Sequence, residues 1–513
     1  MRQYLRTIWL LGIFHLAQMS RKMFLQLKKP AWSTQRYDVS NVANIQAPLY
    51  NAFGHIETLP WVALSYSLIY TASAPLVTRL LNLGDIRITT SFFFALFIAS
   101  SVVAVGRPLT GLANTGVYQI GNLNLISLFY SPAEASRIGG MVGMSWAIGL
   151  VIGPFVGGGF ADNQRLTWRW AFYIVTPFLG VSMFAAVILL PNYNPSRGLS
   201  LQQSIHGIDW LGGLLHLAIV ILFALVSVHS GSSWDWNSGH TIAIWVIIGI
   251  FLITYFIQQY SSFLTTPMPG LLALAAICIS TCYAVSLYYL PLFFAFTRNA
   301  TTIEAAVHII PFIGVFIVAV MLSGVLMPKI GYYAPFHIIA GAVMVIGGSL
   351  MTQITPITHD GANMGYQALL GVAVGLVFAN SYSVANASLH DPDGRLASAA
   401  LFNIASMGGI SLALVIASCI YQNIGFRNLQ VALKPFGFED QDIRQALSGL
   451  ASPVLRPDDT TLRDVVVHIV TKVIARLFYI VVGAGVICLL LGLCMPWGKL
   501  DFKRPQEVNI RDQ

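Results

Sequence analysis

Charge is what this sequence has least of. Of its 513 residues only 9% are charged, while 56% are hydrophobic. A soluble domain is usually about 25% charged. Depletion on this scale, over this length, excludes a soluble globular protein and implies a polytopic membrane protein. A nucleic-acid partner is excluded too: the formal net charge is +8, but the lysines and arginines are scattered over loops and both ends, with no long basic patch. No carboxylate lies in the middle of an apolar run; Asp162, Asp209, Glu304, Asp391 and Asp393 all sit at run ends or in loops. Cysteine is sparse, and all five lie in or beside apolar runs, where a thiol behaves as a small hydrophobe. Cys278 and Cys282 have helical i, i+4 spacing but no third ligand nearby, so neither a metal nor a cofactor is expected. His359-Asp360 and His390-Asp391 are the only His–carboxylate neighbours, both in loops, which argues against a membrane-embedded enzyme. A secretory signal peptide is not expected either. The apolar stretch from Ile8 to Ala17 follows Arg2 and Arg6, but Arg21 and Lys22 come next instead of a cleavage site.

What is abundant is apolar sequence of spanning length. A bilayer core takes about 20 residues of helix. Runs that fit lie at 60–83, 88–105, 107–129, 138–160, 170–190, 209–228, 239–258, 269–294, 302–327, 333–352, 364–386, 398–421 and 473–495, thirteen in all. A weak fourteenth would have to come from the first twenty residues. The expected organisation is an atypical N-terminal segment (1–45), an N-terminal helix bundle (46–190), a linker with two extra spans (191–262), a C-terminal bundle (263–498) and a cytoplasmic tail (499–513). The polar stretch 422–466 reads as a long outer loop before the last span.

Basic residues set the orientation. With Lys499, Lys503, Arg504 and Arg511 in the cytoplasm, the loops carrying Arg395, Lys329, Arg197, Arg137 and the Arg79–Arg87 pair fall on the same side. Two regions run against this: the stretch 422–466, and the N-terminal residues Arg21 to Arg36. Long loops cross largely regardless of charge, which accounts for the first.

One segment is unusual. Ser145 to Trp170 is an apolar helix pattern with Gly149, Gly153 and Gly157 on one face, interrupted by Pro154 and followed by Trp168-Arg169-Trp170. In water it would be a poor helix. In a membrane, small residues let another helix approach closely and neighbours tolerate the proline. Downstream of the run 88–105, Arg107, Gly111, Asn114, Tyr118 and Asn122 fall on a single helix face, a cation and amides that suggest a polar pathway. The alternative is an arginine snorkelling at a span end.

The Gly-Pro-x-x-Gly-Gly core at Gly153–Gly158 resembles the antiporter motif of major facilitator transporters, and Thr167 to Tyr173 resembles the WRW sequence of the fourteen-span drug:H+ antiporter family. Trp61 to Leu68, Asp209-Trp210-Leu211-Gly212, Tyr288 to Phe294 and Gln422 to Arg427 are similar to its fungal branch that exports secondary metabolites and toxins. The resemblance implies an all-α major facilitator fold, two six-helix bundles plus two linker helices. It implies a secondary active transporter, with small-molecule substrates, protons and the lipid bilayer as partners. Such a protein would be a monomer of the plasma membrane, or else of a vacuolar or vesicle membrane. A siderophore or toxin importer of the same fold, and a truncated, transport-impaired relative, are the alternatives.

The same resemblance assigns helix packing to Gly149, Gly153, Pro154, Gly157 and Gly158, and proton coupling to Arg107. Thr110 stands where the family usually has glutamine, and the motif between Pro75 and Arg87 is fragmentary. A proton antiporter needs a group that changes protonation. His308 and His216 are candidates inside apolar runs, with hydrogen-bonded packing as the other reading. Asn114, Tyr118, Gln119, Asn122, Tyr283, Tyr288, Tyr289, Asn380 and Tyr382 are expected to face a cavity near the midplane, although tyrosines at span ends can equally be interfacial anchors. Asn299 begins a sequon on the outer side.

Overall fold

The chain is all-helical in this computed structural model, which describes residues 59–81, 83–102, 106–119, 169–190, 208–231, 234–265, 267–298, 302–378, 380–389, 392–447 and 460–500, plus position 300 and isolated positions at 202, 206 and between 134 and 160. The runs at 138–160 and beyond Gln119 therefore fall mostly outside the described residues, as do residues 1–58. Among the described residues, eight helical stretches are long and apolar enough to cross a membrane, with two shorter apolar helices at Ile86–Ser101 and Val175–Ile188.

The N-terminal half contains α1 (Leu59–Leu81), α2 (Ile86–Val102), α3 (Gly106–Tyr118), α4 (Trp170–Tyr173) and α5 (Val175–Leu189). Phe93, Phe94 and Phe97 of α2 form its centre with Val77, Ala113, Val117, Val175 and Leu179. Helices α2 and α3 approach each other closely. Gly106 begins α3 where a Cβ would overlap the Ser100 carbonyl oxygen, and Thr110 donates to Ser100 Oγ at 3.1 Å.

Two helices follow, α6 (Trp210–His229) and α7 (Gly239–Thr265). Asp209 is the N-cap of α6: it accepts from Gly212 N at 2.8 Å and from the side-chain amides of Gln258 and Gln259, so one carboxylate ties both helices at one end. At the other end Gly231 turns the chain with φ +78, a left-handed conformation that suits glycine.

The C-terminal half holds α8 (Pro267–Arg298), α9 (Thr302–Val307), α10 (Ile310–Ile330), α11 (Ala334–Met351), α12 (Asp360–Val377), α13 (Asn380–Ser388), α14 (Pro392–Leu433), α15 (Asp440–Leu447) and α16 (Thr460–Cys494). Without a hydrophobic driving force in lipid, close backbone approach holds such helices together. The α11–α16 pair shows how the sequence achieves it. A Cβ on Gly341 would lie 2.5 Å from Leu489 N, and one on Gly485 would lie 3.0 Å from Val345 N. Glycines on both helices thus alternate along one antiparallel seam.

The stretch 422–466 is not simply the long outer loop expected from its polarity. Helix α14 has 42 residues, about 63 Å at about 1.5 Å per residue, twice the ~30 Å of a hydrocarbon core. It continues unbroken to Leu433, and α15 folds back against it. Tyr421 Oη donates to the Leu447 carbonyl at 2.8 Å, and the Arg444 guanidinium lies 4.3 Å over the Phe426 ring. Arg427, Lys434 and Arg444 sit on a packed helical cap whose inner face, Leu429, Ile443, Ala446 and Leu447, is buried, whereas Arg463 lies on α16 and Arg456 outside the described residues. At the opposite end Leu500 N donates to the Gly331 carbonyl at 3.0 Å. Lys329 and Lys499 therefore share one side, as the charge distribution requires.

Candidate functional site

The helix α1 carries Tyr66, Tyr70 and Ser73 at helical spacing, and this face turns toward α3 and α14. Tyr70 Oη donates to Asn403 Oδ1 at 2.7 Å, and Asn403 Nδ2 donates to Gln119 Oε1 at 2.8 Å. One turn toward the start of α1, Asn114 donates its amide to the Tyr66 hydroxyl. Thr115 Oγ1 reaches the Tyr70 carbonyl at 3.2 Å and Ser73 Oγ at 3.4 Å. Thr71 Oγ1 shares a 3.0 Å bond with Ser411 Oγ, which also donates to the Ser67 carbonyl. Tyr70, Gln119 and Asn403 are buried to within 2% of complete. The two halves of the chain therefore meet through a buried chain of phenol, amide and hydroxyl groups.

Asn114, from the expected polar face, and Gln119, expected at the cavity, both enter this network. Tyr118 is buried and joins the large core cluster of the C-terminal half. Asn122 lies outside the described residues. Arg107, at the start of α3, places its guanidinium 5.0 Å over the Tyr66 ring and 5.6 Å over Phe172, held by the quadrupoles of two aromatic faces. It connects to the network through Tyr66.

In the C-terminal half the expected residues are spread out. Tyr288 and Tyr289 stack edge-on at 5.2 Å, and Tyr289 meets Tyr421 at 5.6 Å, beneath the α14–α15 cap. Tyr382 packs on Phe402 at 5.6 Å. Asn380 turns its amide back to the Leu376 carbonyl at 2.6 Å. Tyr283 lies between Phe316 and Phe378. His308 follows α9, its ring stacked on Phe294 at 4.4 Å. His216 Nε2 lies 3.2 Å from the Thr71 carbonyl oxygen; a carbonyl oxygen only accepts, so Nε2 is the donor. Gly149 and Gly153 are helical and buried, whereas Pro154, Gly157 and Gly158 lie outside the described residues. Just upstream, a Cβ on Gly143 would be 3.1 Å from Val320 of α10, so this segment also touches the opposite half.

Sequence reasoning missed Tyr66, Tyr70, Asn403 and Ser411. A signal existed: Asn403 is a lone amide within an apolar run, and intramembrane amides are costly unless paired. Also missed were Asn363 and Gln367, one turn apart on α12. Both are buried, and their side-chain amides find no partner among protein groups. Among the described residues, no cluster of three or more His, Cys, Asp or Glu could hold a metal.

A family model described as the Major Facilitator Superfamily matches residues 36–414. The chain is 28% identical over 493 residues to an MFS-type transporter, pgmG, of Aspergillus terreus, covering 91% of this chain and 87% of that protein. It is 30% identical over 489 residues to the efflux pump patC of Aspergillus clavatus, covering 90% and 88%. In fold it is similar to a bacterial homolog of the human lysosomal transporter Spinster in an inward-facing, unoccupied conformation. There the TM-score is 0.61 at 15% identity, over 92% of this chain and 97% of the other.

Proposed function

We propose, from the premise that the chain belongs to the Major Facilitator Superfamily, that it exports small, mostly apolar molecules by proton antiport and alternating access. The chain is a multi-pass membrane transporter, not an enzyme. The observation that carries the mechanism is the Tyr70–Asn403–Gln119 chain. Alternating access rocks one half against the other. Hydrogen bonds between side chains can break and re-form with other partners, including water, as the halves part. Similarity to an efflux pump supports outward transport. The cargo is a toxin, drug or secondary metabolite, as the fungal export branch handles. Its polar groups would meet amides such as Gln367 and Asn363, and its apolar body the aromatic walls around Tyr283 and Tyr382.

Coupling is assigned to Arg107 and His308. Arg107 would act by attracting or repelling a proton held elsewhere. Within this reading the protein works as a monomer in the plasma membrane, and the glycine face at Gly149, Gly153 and Gly157 with Pro154 and Gly158 shapes a helix contact.

Inside-out vesicles from a yeast strain stripped of its own efflux pumps test the reading. With the vesicle interior acidified, a fluorescent lipophilic dye and a panel of lipophilic fungal metabolites are offered outside. Export by antiport predicts that at least one compound accumulates and that a protonophore collapses the gradient. Accumulation only in right-side-out vesicles would identify an importer instead.

A further inference from the structure

Helix α1 contains a proline in its interior, Pro75. Proline has no N–H, and its ring presses on the carbonyl four residues earlier. That carbonyl belongs to Thr71. Inside a bilayer no solvent replaces the missing donor, so a neighbouring helix or side chain must supply one. Here the imidazole of His216, on the linker helix α6, does so: its Nε2 lies 3.2 Å from the Thr71 oxygen.

The sequence of α6 builds this contact. Gly213, one turn before His216, allows the two helices to close, since a Cβ there would overlap Leu76 Cδ2. Further along the same antiparallel seam, Leu64 and Leu68 of α1 form a buried cluster with Ala224 of α6 and Val415 of α14, and Trp61 meets His229 at 5.8 Å between ring centres. On its other side the His216 ring faces Tyr255 of α7 at 6.2 Å. The imidazole thus sits between the second linker helix and the turn of α1 that precedes Pro75.

Thr71 is also where α1 touches the C-terminal half, through the hydroxyl of Ser411, and its neighbour Tyr70 reaches Asn403. We propose that His216 is a positioning residue for transport: the linker hairpin supplies the hydrogen bond that Pro75 withholds from α1, and so steadies the turn of the helix that joins the two halves. Donation requires a proton on Nε2, which both the neutral tautomer bearing it and the imidazolium provide. The linker helices are then a working part of the rocking unit, tied to the single turn of α1 whose bonds change partners.

The test is a mutant cycle read without cargo, so its failure leaves the export reading standing. The full chain, with its five cysteines replaced by alanine, carries spin labels at Arg79→Cys and Lys329→Cys, exposed positions on α1 and α10. Distances are measured by electron–electron double resonance in lipid nanodiscs. His216→Phe removes the donor and is expected to bring in a new distance population. His216→Gln keeps a donor at similar reach and is expected to restore the original distribution. Pro75→Ala returns the N–H to Thr71, and in that background His216→Phe is expected to change nothing. The proposal is overturned if His216→Phe leaves the distances unaltered, or if it shifts them equally with proline or alanine at 75. Should His216→Phe alone fail to yield folded protein, recovery by Pro75→Ala supports the proposal, and failure to recover overturns it.

Discussion

Asn403 bridges Tyr70 and Gln119: its Oδ1 accepts from the phenol at 2.7 Å while its Nδ2 donates to the glutamine at 2.8 Å. One amide of α14 therefore satisfies two residues of the opposite half, and each of the three is buried. Removing the middle member takes one hydrogen bond from each end. A buried group left without a partner costs about 1–3 kcal/mol, although interhelical bonds in membranes average nearer ~0.6 kcal/mol. Asn403→Leu should therefore lower the melting temperature in detergent only modestly, while dye or metabolite efflux from cells falls strongly. Asn403→Gln should keep more efflux than Asn403→Leu. Equal, unimpaired efflux in both variants would remove the bridge from the mechanism.

Arg107 offers a sharper separation of roles. Its guanidinium faces Tyr66 and Phe172, an arrangement worth ~0.5–2 kcal/mol depending on solvation. If it couples protons, Arg107→Ala should abolish efflux driven by a pH gradient but leave cargo exchange between equal concentrations on the two sides. Arg107→Lys keeps the charge and loses the planar stacking, so it should retain part of the driven flux. Loss of exchange together with driven flux would mark a packing role instead.

The α11–α16 seam predicts a contrast in stability. A Cβ at Gly341 would meet Leu489 N at 2.5 Å, whereas nothing lies within 4 Å of one at Gly314. Overpacking typically costs about 1–3 kcal/mol. Gly341→Ala should visibly reduce the thermal stability of the purified protein, and Gly314→Ala should leave it near the wild-type value.

The α14–α15 cap should loosen locally. Tyr421→Phe removes the bond to the Leu447 carbonyl, about 0.5–1.5 kcal/mol for a typical hydrogen bond. Hydrogen exchange should quicken at 440–447, with α11 and α16 unchanged. Spread of the effect into α16 would mean the cap and the last span open as one unit.

Much of the fold is legible in the chain itself. Hydrophobic runs of about 20 residues locate α6, α7, α8, α10 and α11, because in lipid a backbone must satisfy itself within one helix. The scattered lysines and arginines put Lys329 and Lys499 on one side, where the bond from Leu500 N to the Gly331 carbonyl also holds them. The glycine-rich segment Ser145–Trp170 and the motifs at Asp209 and Gln422 point to the family that residues 36–414 match.

The candidate site is legible only in part. Asn114 and Gln119 stand out because they share one short, polar chain segment. Their partners do not: Tyr66 is 48 residues from Asn114, and Asn403 is 284 from Gln119. The unbroken continuation of α14 to Leu433 is hidden for a related reason. Its polar residues read as loop until Leu447 and Arg444 of α15 are seen to cover one side of it.

Composition and periodicity alone thus decide that this chain crosses a membrane many times, where most crossings fall and which ends share a side. Those properties depend on how each residue partitions between water and lipid, and that is local. Tertiary structure alone decides which polar groups meet: Tyr70 with Asn403, Asn423 with the Ser230 carbonyl, and His216 with the Thr71 oxygen that Pro75 leaves without its helical donor. Those pairings depend on helices packing side by side, and spacing within a single helix does not encode them.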